Sequence, residues 1–158
     1  MMFPAHIHTV RIAQTVGIGL STFLAGKIFH STVMARIFRD APSTESAKRW
    51  RDMVRHAMLS SPALTVLSSG AFGYLAYLAL DSTTRRMYFG ACLLVPSFIP
   101  FTFAAMLPAY KGLQDAAAER IKDETHIRRV FDEWGRLNAV RGWLIACGAF
   151  VGVWASLK

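Results

Sequence analysis

Long apolar runs alternate with short charged ones along the whole chain. Residues 57–80 and 87–110 hold no Asp, Glu, Lys or Arg. Each run is longer than the about 20 residues a helix needs to cross about 30 Å of hydrocarbon. An earlier run, 10–35, has Arg11 at its edge and Lys27 near its far end, where a long stem can snorkel the ammonium to the interface. A last run, 134–157, is uncharged only from Gly142 onward, so Arg141 must either snorkel or be solvated by protein. The pattern predicts an all-α chain, an integral membrane four-helix bundle forming one transmembrane domain over 1–158. A cleaved signal peptide is the competing reading of the first run, but the residues before that run are nearly uncharged and it exceeds an ordinary h-region.

The charged gaps carry their own structure. Pro42-Ser43-Thr44-Glu45 stops the first helix and offers a cap to the second. From Asp115 to Arg136 the apolar positions Ile127, Val130, Phe131 and Trp134 follow helical spacing, while Glu124 with Arg128 and Asp132 with Arg136 are set for i,i+4 pairing. This segment is predicted as a cytosolic amphipathic helix leading into the fourth span. Pro96, Pro100 and Pro108 should bend the third span and free backbone carbonyls. Gly17, Ser21 and Ala25, and likewise Gly148, Gly152 and Ser156, repeat every four residues, a spacing that lets membrane helices approach closely.

Composition sharpens this picture rather than changing it. The 158 residues include 53% apolar ones and carry a net charge of +8, which on a soluble chain would raise the question of nucleic acid. Here the basic residues sit in the gaps between spans, which points to a lipid surface and not to nucleic acid. Twelve of them fall in the first and third connections and four on the side of the termini. By the positive-inside rule the two connections are cytosolic and both termini non-cytosolic, in the endoplasmic reticulum membrane if the source is eukaryotic. Cys92 and Cys147 lie inside apolar runs and suggest no disulfide framework or metal site.

Polar groups inside a membrane are costly and are therefore the first functional candidates. Trp134, Asn138 and Arg141 are spaced i, i+4, i+7 and share one helix face. A permanent cation with a planar donor fork, one turn from an amide, could hold the oxyanion that develops when a proton leaves carbon next to a carbonyl. The structural alternative is that Arg141 snorkels and Asn138 bonds a neighbouring helix. His30, one turn from Lys27 and at about the depth expected for Arg141, is the favoured proton acceptor over His56 and His126. Tyr74 and Tyr77, deep in the second span, are candidates to line a flat pocket, whereas Tyr88 and Tyr110 look like interface anchors. The His6/His8 pair has no partner ligands at recognisable spacing, so no metal site is predicted. Nucleotide-binding, P-loop, hydrolase-elbow and zinc-protease motifs are absent from the sequence.

Three stretches, GIGLSTFLAGKIF in the first span, PFTFAAMLPAYKGL closing the third and FDEWGRLNAVRGWL entering the fourth, resemble the anthrone oxygenase family, small four-helix membrane proteins of fungal polyketide clusters. The last stretch is the most specific, because it sets Trp134, Asn138 and Arg141 in order. Where relatives commonly carry a polar Thr-Asn pair after the proline closing the third span, this chain has Ala109-Tyr110. The resemblance implies a monooxygenase that converts an anthrone-type aromatic polyketide, such as emodin anthrone, to an anthraquinone with molecular oxygen as co-substrate. No cofactor is implied, since the anthrone carbanion can itself reduce oxygen. On this reading Arg141 and Asn138 meet the oxyanion, His30 takes the proton, and Trp134, Tyr74, Tyr77 and Thr102 contact the rings. The alternative is a noncatalytic membrane anchor or scaffold for a partner biosynthetic enzyme, and a small transporter is weaker because no span carries a polar seam. The small-residue stripes would also permit a homo-oligomer.

Overall fold

The computed structural model describes the backbone from residue 4 and the side chains from residue 7 to residue 158, and it is all-helical. Its elements are α1 (Pro4–Asp40), α2 (Thr44–Leu78), α3 (Ser82–Leu94), α4 (Phe98–Phe101), a π-helical turn (Thr102–Met106), α5 (Leu107–Ala117) and α6 (Glu124–Ser156). Three helical stretches are long and apolar enough to cross a membrane: Ile7–Asp40, the interrupted run Ser82–Ala117, and Glu124–Ser156. The second predicted span, 57–80, falls in a helix that is as long but less apolar. Ser60, Ser61, Ser68 and Ser69 with Gly70 and Gly73 dilute its leucines. Some of these hydroxyls spend themselves on backbone, Ser68 donating to Leu64 O at 2.7 Å and Ser69 to Cys92 O at 2.7 Å.

Local chemistry explains each break. Ser43 and Ser46 cap α2 reciprocally: the Ser46 N–H donates to Ser43 Oγ at 3.1 Å and the Ser43 N–H to Ser46 Oγ at 2.9 Å. This is a capping box with serine in the third position. Asp81 caps α3, its carboxylate accepting from the Thr84 N–H at 2.7 Å, and that bond holds the Asp81 carboxyl below the usual carboxylate range. The third-span prolines act as predicted. Pro96 follows the end of α3 and cannot donate to Cys92 O, which accepts instead from Ser69 Oγ of α2 at 2.7 Å, and Pro100 precedes the π-helical turn.

The amphipathic segment 115–136 is not one helix. α5 ends at Ala117, Glu119 takes the left-handed conformation at φ 60°, and Arg120 N bonds Asp115 O at 2.9 Å, closing a Schellman-type cap. Asp123 then caps α6, its carboxylate accepting from the N–H groups of Thr125 and His126. Ile127, Val130, Phe131 and Trp134 are buried in protein rather than laid on a lipid surface. Nor do the expected i,i+4 pairs form among the described residues, because Asp132 bonds Arg39 of α1 at 3.2 Å instead.

Lys48 bonds Glu119 at 2.6 Å, which raises the lysine and lowers the carboxyl. A depressed carboxyl contributes stability that is present above its unfolded pKa and lost as pH falls through the folded one. Glu119→Gln should therefore flatten the acid limb of a thermal-midpoint profile, a small effect for so exposed a pair.

The chain divides into two compact units, one of residues 1–25, 62–98 and 143–158, the other of 26–61 and 99–142. In the first, Phe72 is fully buried among Leu75, Ala76, Tyr88, Ala91 and Val95, with its ring against both Gly17 and Gly152. The small-residue stripes thus receive an aromatic ring. Tyr88, expected at the interface, is instead buried, where its hydroxyl accepts from Gln14 Nε2 at 2.9 Å. Because a methyl at Gly152 would overlap a ring that Gly17 blocks from the other side, Gly152→Ala should cost about 1–3 kcal/mol, read as a lowered thermal midpoint in detergent.

Phe23, Trp143, Phe150 and Trp154 are each more than half exposed. That much apolar surface suits a lipid surround far better than water.

Candidate functional site

The second unit holds the candidate site. Its core gathers Trp50 of α2, Met106 of the π-helical turn, Ala109 and Leu113 of α5, and Ile127, Phe131 and Trp134 of α6. Trp134 and Trp50 meet edge to face at 5.6 Å, and Trp50 meets Tyr110 at 5.4 Å. Tyr110 is likewise not an interface anchor, since its hydroxyl accepts from Gln114 Nε2 at 3.0 Å beside the indole.

One turn beyond Trp134, Asn138 is 1% exposed and ties α6 to α1. Its two amide N–H groups donate to Ile28 O and to Thr32 Oγ1, both at 2.9 Å. Its carbonyl oxygen accepts from Arg141 Nη1 at 3.3 Å, and the same nitrogen lies 3.8 Å from Met106 Sδ. Both amide hydrogens are committed, so Asn138 has no donor left for a developing oxyanion. Its part is to aim the guanidinium. Arg141 is half-buried, and its Nη1 lies against Met106 Sδ, a core residue of the same unit.

The expected residues are only partly brought together. Trp134, Asn138 and Arg141 converge, and Thr102 opens the π-helical turn of the same unit, partly exposed. His30 does not join them. Ile28 and Thr32 turn toward Asn138, and a residue two positions from each on a helix faces away, so the His30 side chain is exposed. Lys27, one turn back, donates to Ser60 Oγ of α2 at 2.5 Å. Tyr74 and Tyr77 belong to the other unit and are 42% and 82% exposed, surfaces rather than pocket walls. His56 is exposed and its Nδ1 bonds the backbone at Asp52 O. The His6 side chain lies outside the described residues, and among those described no cluster of three His, Cys, Asp or Glu is placed to hold a metal.

Trp50 is the residue that the sequence did not single out. It is fully buried, yet its indole Nε1–H has no hydrogen-bond partner among the described residues. An orphaned buried donor costs about 1–3 kcal/mol, and indole nitrogens normally find an acceptor. The unit thus holds a guanidinium fixed by an amide oxygen and an unpartnered indole donor in a core of edge-packed aromatic rings.

No solved structure matches the chain. It is 27% identical to the protein named anthrone oxygenase encC of Aspergillus fumigatus, in an alignment covering 92% of this chain and 93% of that protein. A match to the anthrone oxygenase family runs over residues 50–151, more than half of the chain, and takes in Trp50, Trp134, Asn138 and Arg141. On that extent of match, the chain belongs to the anthrone oxygenase family.

Proposed function

We propose that this protein is a membrane-bound oxygenase that converts an anthrone-type polycyclic aromatic to an anthraquinone with molecular oxygen and without a resident cofactor. The observation that carries the reading is the Arg141 guanidinium, held by Asn138 Oδ1 and resting on Met106 of the core that contains Trp50 and Trp134. Family membership supplies the reaction class.

An anthrone methylene is acidic because its carbanion is an aromatic phenolate. A cation fixed where the phenolate oxygen develops favours that ionisation, and the Trp50 N–H adds a second donor. The carbanion then supplies the electrons. Carbon–oxygen bond formation with dioxygen gives a hydroperoxide, and loss of the second methylene hydrogen with cleavage of the oxygen–oxygen bond leaves the new carbonyl and one water. Both methylene hydrogens end in that water, so a shuttle through solvent suffices. With His30 turned away, the chain's own contribution is the donors.

Around this site we place four spans, α2 supplying the fourth, with both termini non-cytosolic. A poorly soluble polycyclic substrate gives a membrane address its purpose.

The test is oxygen uptake on adding an anthrone to purified, metal- and flavin-analysed protein in detergent, corrected for the spontaneous rate. Quinone formation matched one to one with oxygen supports the proposal, and uptake that tracks a bound metal or flavin sinks its cofactor-free part. In the same assay His30→Ala should keep turnover within about twofold, since an exposed side chain on the far face of α1 touches none of the donors.

A further inference from the structure

A groove of about 890 Å³ runs between α1 and α6 within the second unit, with Phe131 of the buried core in its wall. Four arginines line it, Arg36 and Arg39 from α1 with Arg129 and Arg136 from α6, against two carboxylates, Asp132 and Glu133. The two carboxylates offset only part of the charge of the four arginines. Asp132 is taken by Arg39, whose fork also bonds Asp40. Among the described residues Arg36, Arg129 and Arg136 make no hydrogen bond or ion pair. These three guanidiniums share the concavity with one uncommitted carboxylate, Glu133, which leaves a positive excess that favours a further anion.

Apart from Thr32, the rest of the lining is apolar. Ala35 and Gly135 meet at the helix crossing, where a methyl on Gly135 would lie 3.4 Å from the Ala35 Cβ. Ala139 and Val140 extend the groove along α6 toward the uncharged part of the fourth run, and Val140 is 43% exposed. One end of the concavity is thus cationic and the other greasy. Arg36 and Arg39 stand at the end of the first apolar run and Arg136 at the start of the fourth, which is headgroup level if these helices cross a bilayer.

We propose that this groove binds one anionic phospholipid, its phosphate held by Arg36, Arg129 and Arg136 and an acyl chain laid along Ala139 and Val140. Guanidinium forks match phosphate oxygens two at a time, and basic pockets between membrane helices on the cytosolic side suit such headgroups. The site lies outside the proposed catalytic cluster, although Thr32, which lines the groove, also accepts the Asn138 amide. The inference rests on the membrane reading above but not on the reaction.

The experiment is native mass spectrometry of protein purified in detergent and offered equal amounts of phosphatidylglycerol and phosphatidylcholine. Wild type should retain phosphatidylglycerol at least tenfold over phosphatidylcholine, at roughly fivefold per basic residue near the headgroup. Arg36→Gln/Arg129→Gln/Arg136→Gln should bring the two near parity, while Arg51→Gln/Arg55→Gln/Arg128→Gln, which removes equal charge elsewhere, should leave the preference intact. Arg136→Glu, a single exposed change, gives the same reading at smaller scale if the triple variant does not fold. Equal retention of both lipids by wild type would overturn the proposal. So would an equal loss in the control variant, which would mean diffuse surface charge, or full displacement of phosphatidylglycerol by millimolar inorganic phosphate, which would mean a site for soluble anions. A failed membrane reading would look different, with neither lipid retained and the protein soluble without detergent.

Discussion

Arg141→Lys should reduce turnover of an anthrone by about 10²–10³, the loss expected when a preorganised donor at a developing oxyanion is removed. The variant keeps the positive charge. What it loses is the planar fork, which spreads its donors over three nitrogens, one of them resting on Asn138 Oδ1. A lysine ammonium at the same depth has three donors on one atom and cannot both be steered by the amide and present two parallel bonds. Oxygen uptake, quinone yield and thermal midpoint should be measured together. Near-wild-type turnover in a normally folded Arg141→Lys protein would remove Arg141 from the reaction and leave it a structural cation.

This expectation was half legible before any coordinates. The spacing of Trp134, Asn138 and Arg141 fixes them to one face of any helix, so their convergence follows from 3.6 residues per turn alone. Which way that face points does not. Asn138 looked like an oxyanion donor because an amide one turn from an arginine has that capacity. The structure shows instead that both its hydrogens are bonded to α1. A sequence cannot reveal that commitment, since the acceptors, Ile28 O and Thr32 Oγ1, lie more than a hundred residues upstream. His30 failed for a related reason: depth along α1 could be estimated, but azimuth could not. With lipid on one side and protein on the other, an apolar helix has weak amphipathic periodicity, so its inward face is poorly encoded.

Trp50 was missed on the same ground. It sits in a basic stretch of the first connection, Lys48-Arg49-Trp50-Arg51, where nothing local marks an indole for burial. Only the packing of α2 against α5 and α6 shows that the indole is fully buried beside Trp134 and Tyr110. The caps were easier to see. Pro42 through Glu45 and the prolines of the third span mark local breaks, and local chemistry needs no partner to be decoded. The amphipathic helix before the fourth span failed because periodicity in 127–134 was extended backward through Glu119 to Asp123, where the chain turns and Asp123 starts a new helix.

Asn138→Ala carries the other large expected effect, and it should appear in two measurements that a second variant can separate. Loss of the amide leaves Arg141 without its guide and removes a hydrogen bond from each of two buried acceptors on α1. The first effect should lower turnover by about tenfold or more, as misplacement of a donor does. The second should cost about 1–3 kcal/mol of stability. Thr32→Val removes only the α1 side of this arrangement. It deletes the hydroxyl that accepts from Asn138 and itself donates to Ile28 O at 3.1 Å, yet leaves Asn138 Oδ1 on Arg141. Thr32→Val should therefore lower the thermal midpoint while turnover per folded molecule stays within about threefold of wild type. Asn138→Ala should lower both. If the two variants lose turnover in proportion to lost stability, the amide is a helix tie and nothing more. If Asn138→Ala alone loses turnover, the amide earns its place by aiming the guanidinium, and the lone donor of Trp50 becomes the next position to change.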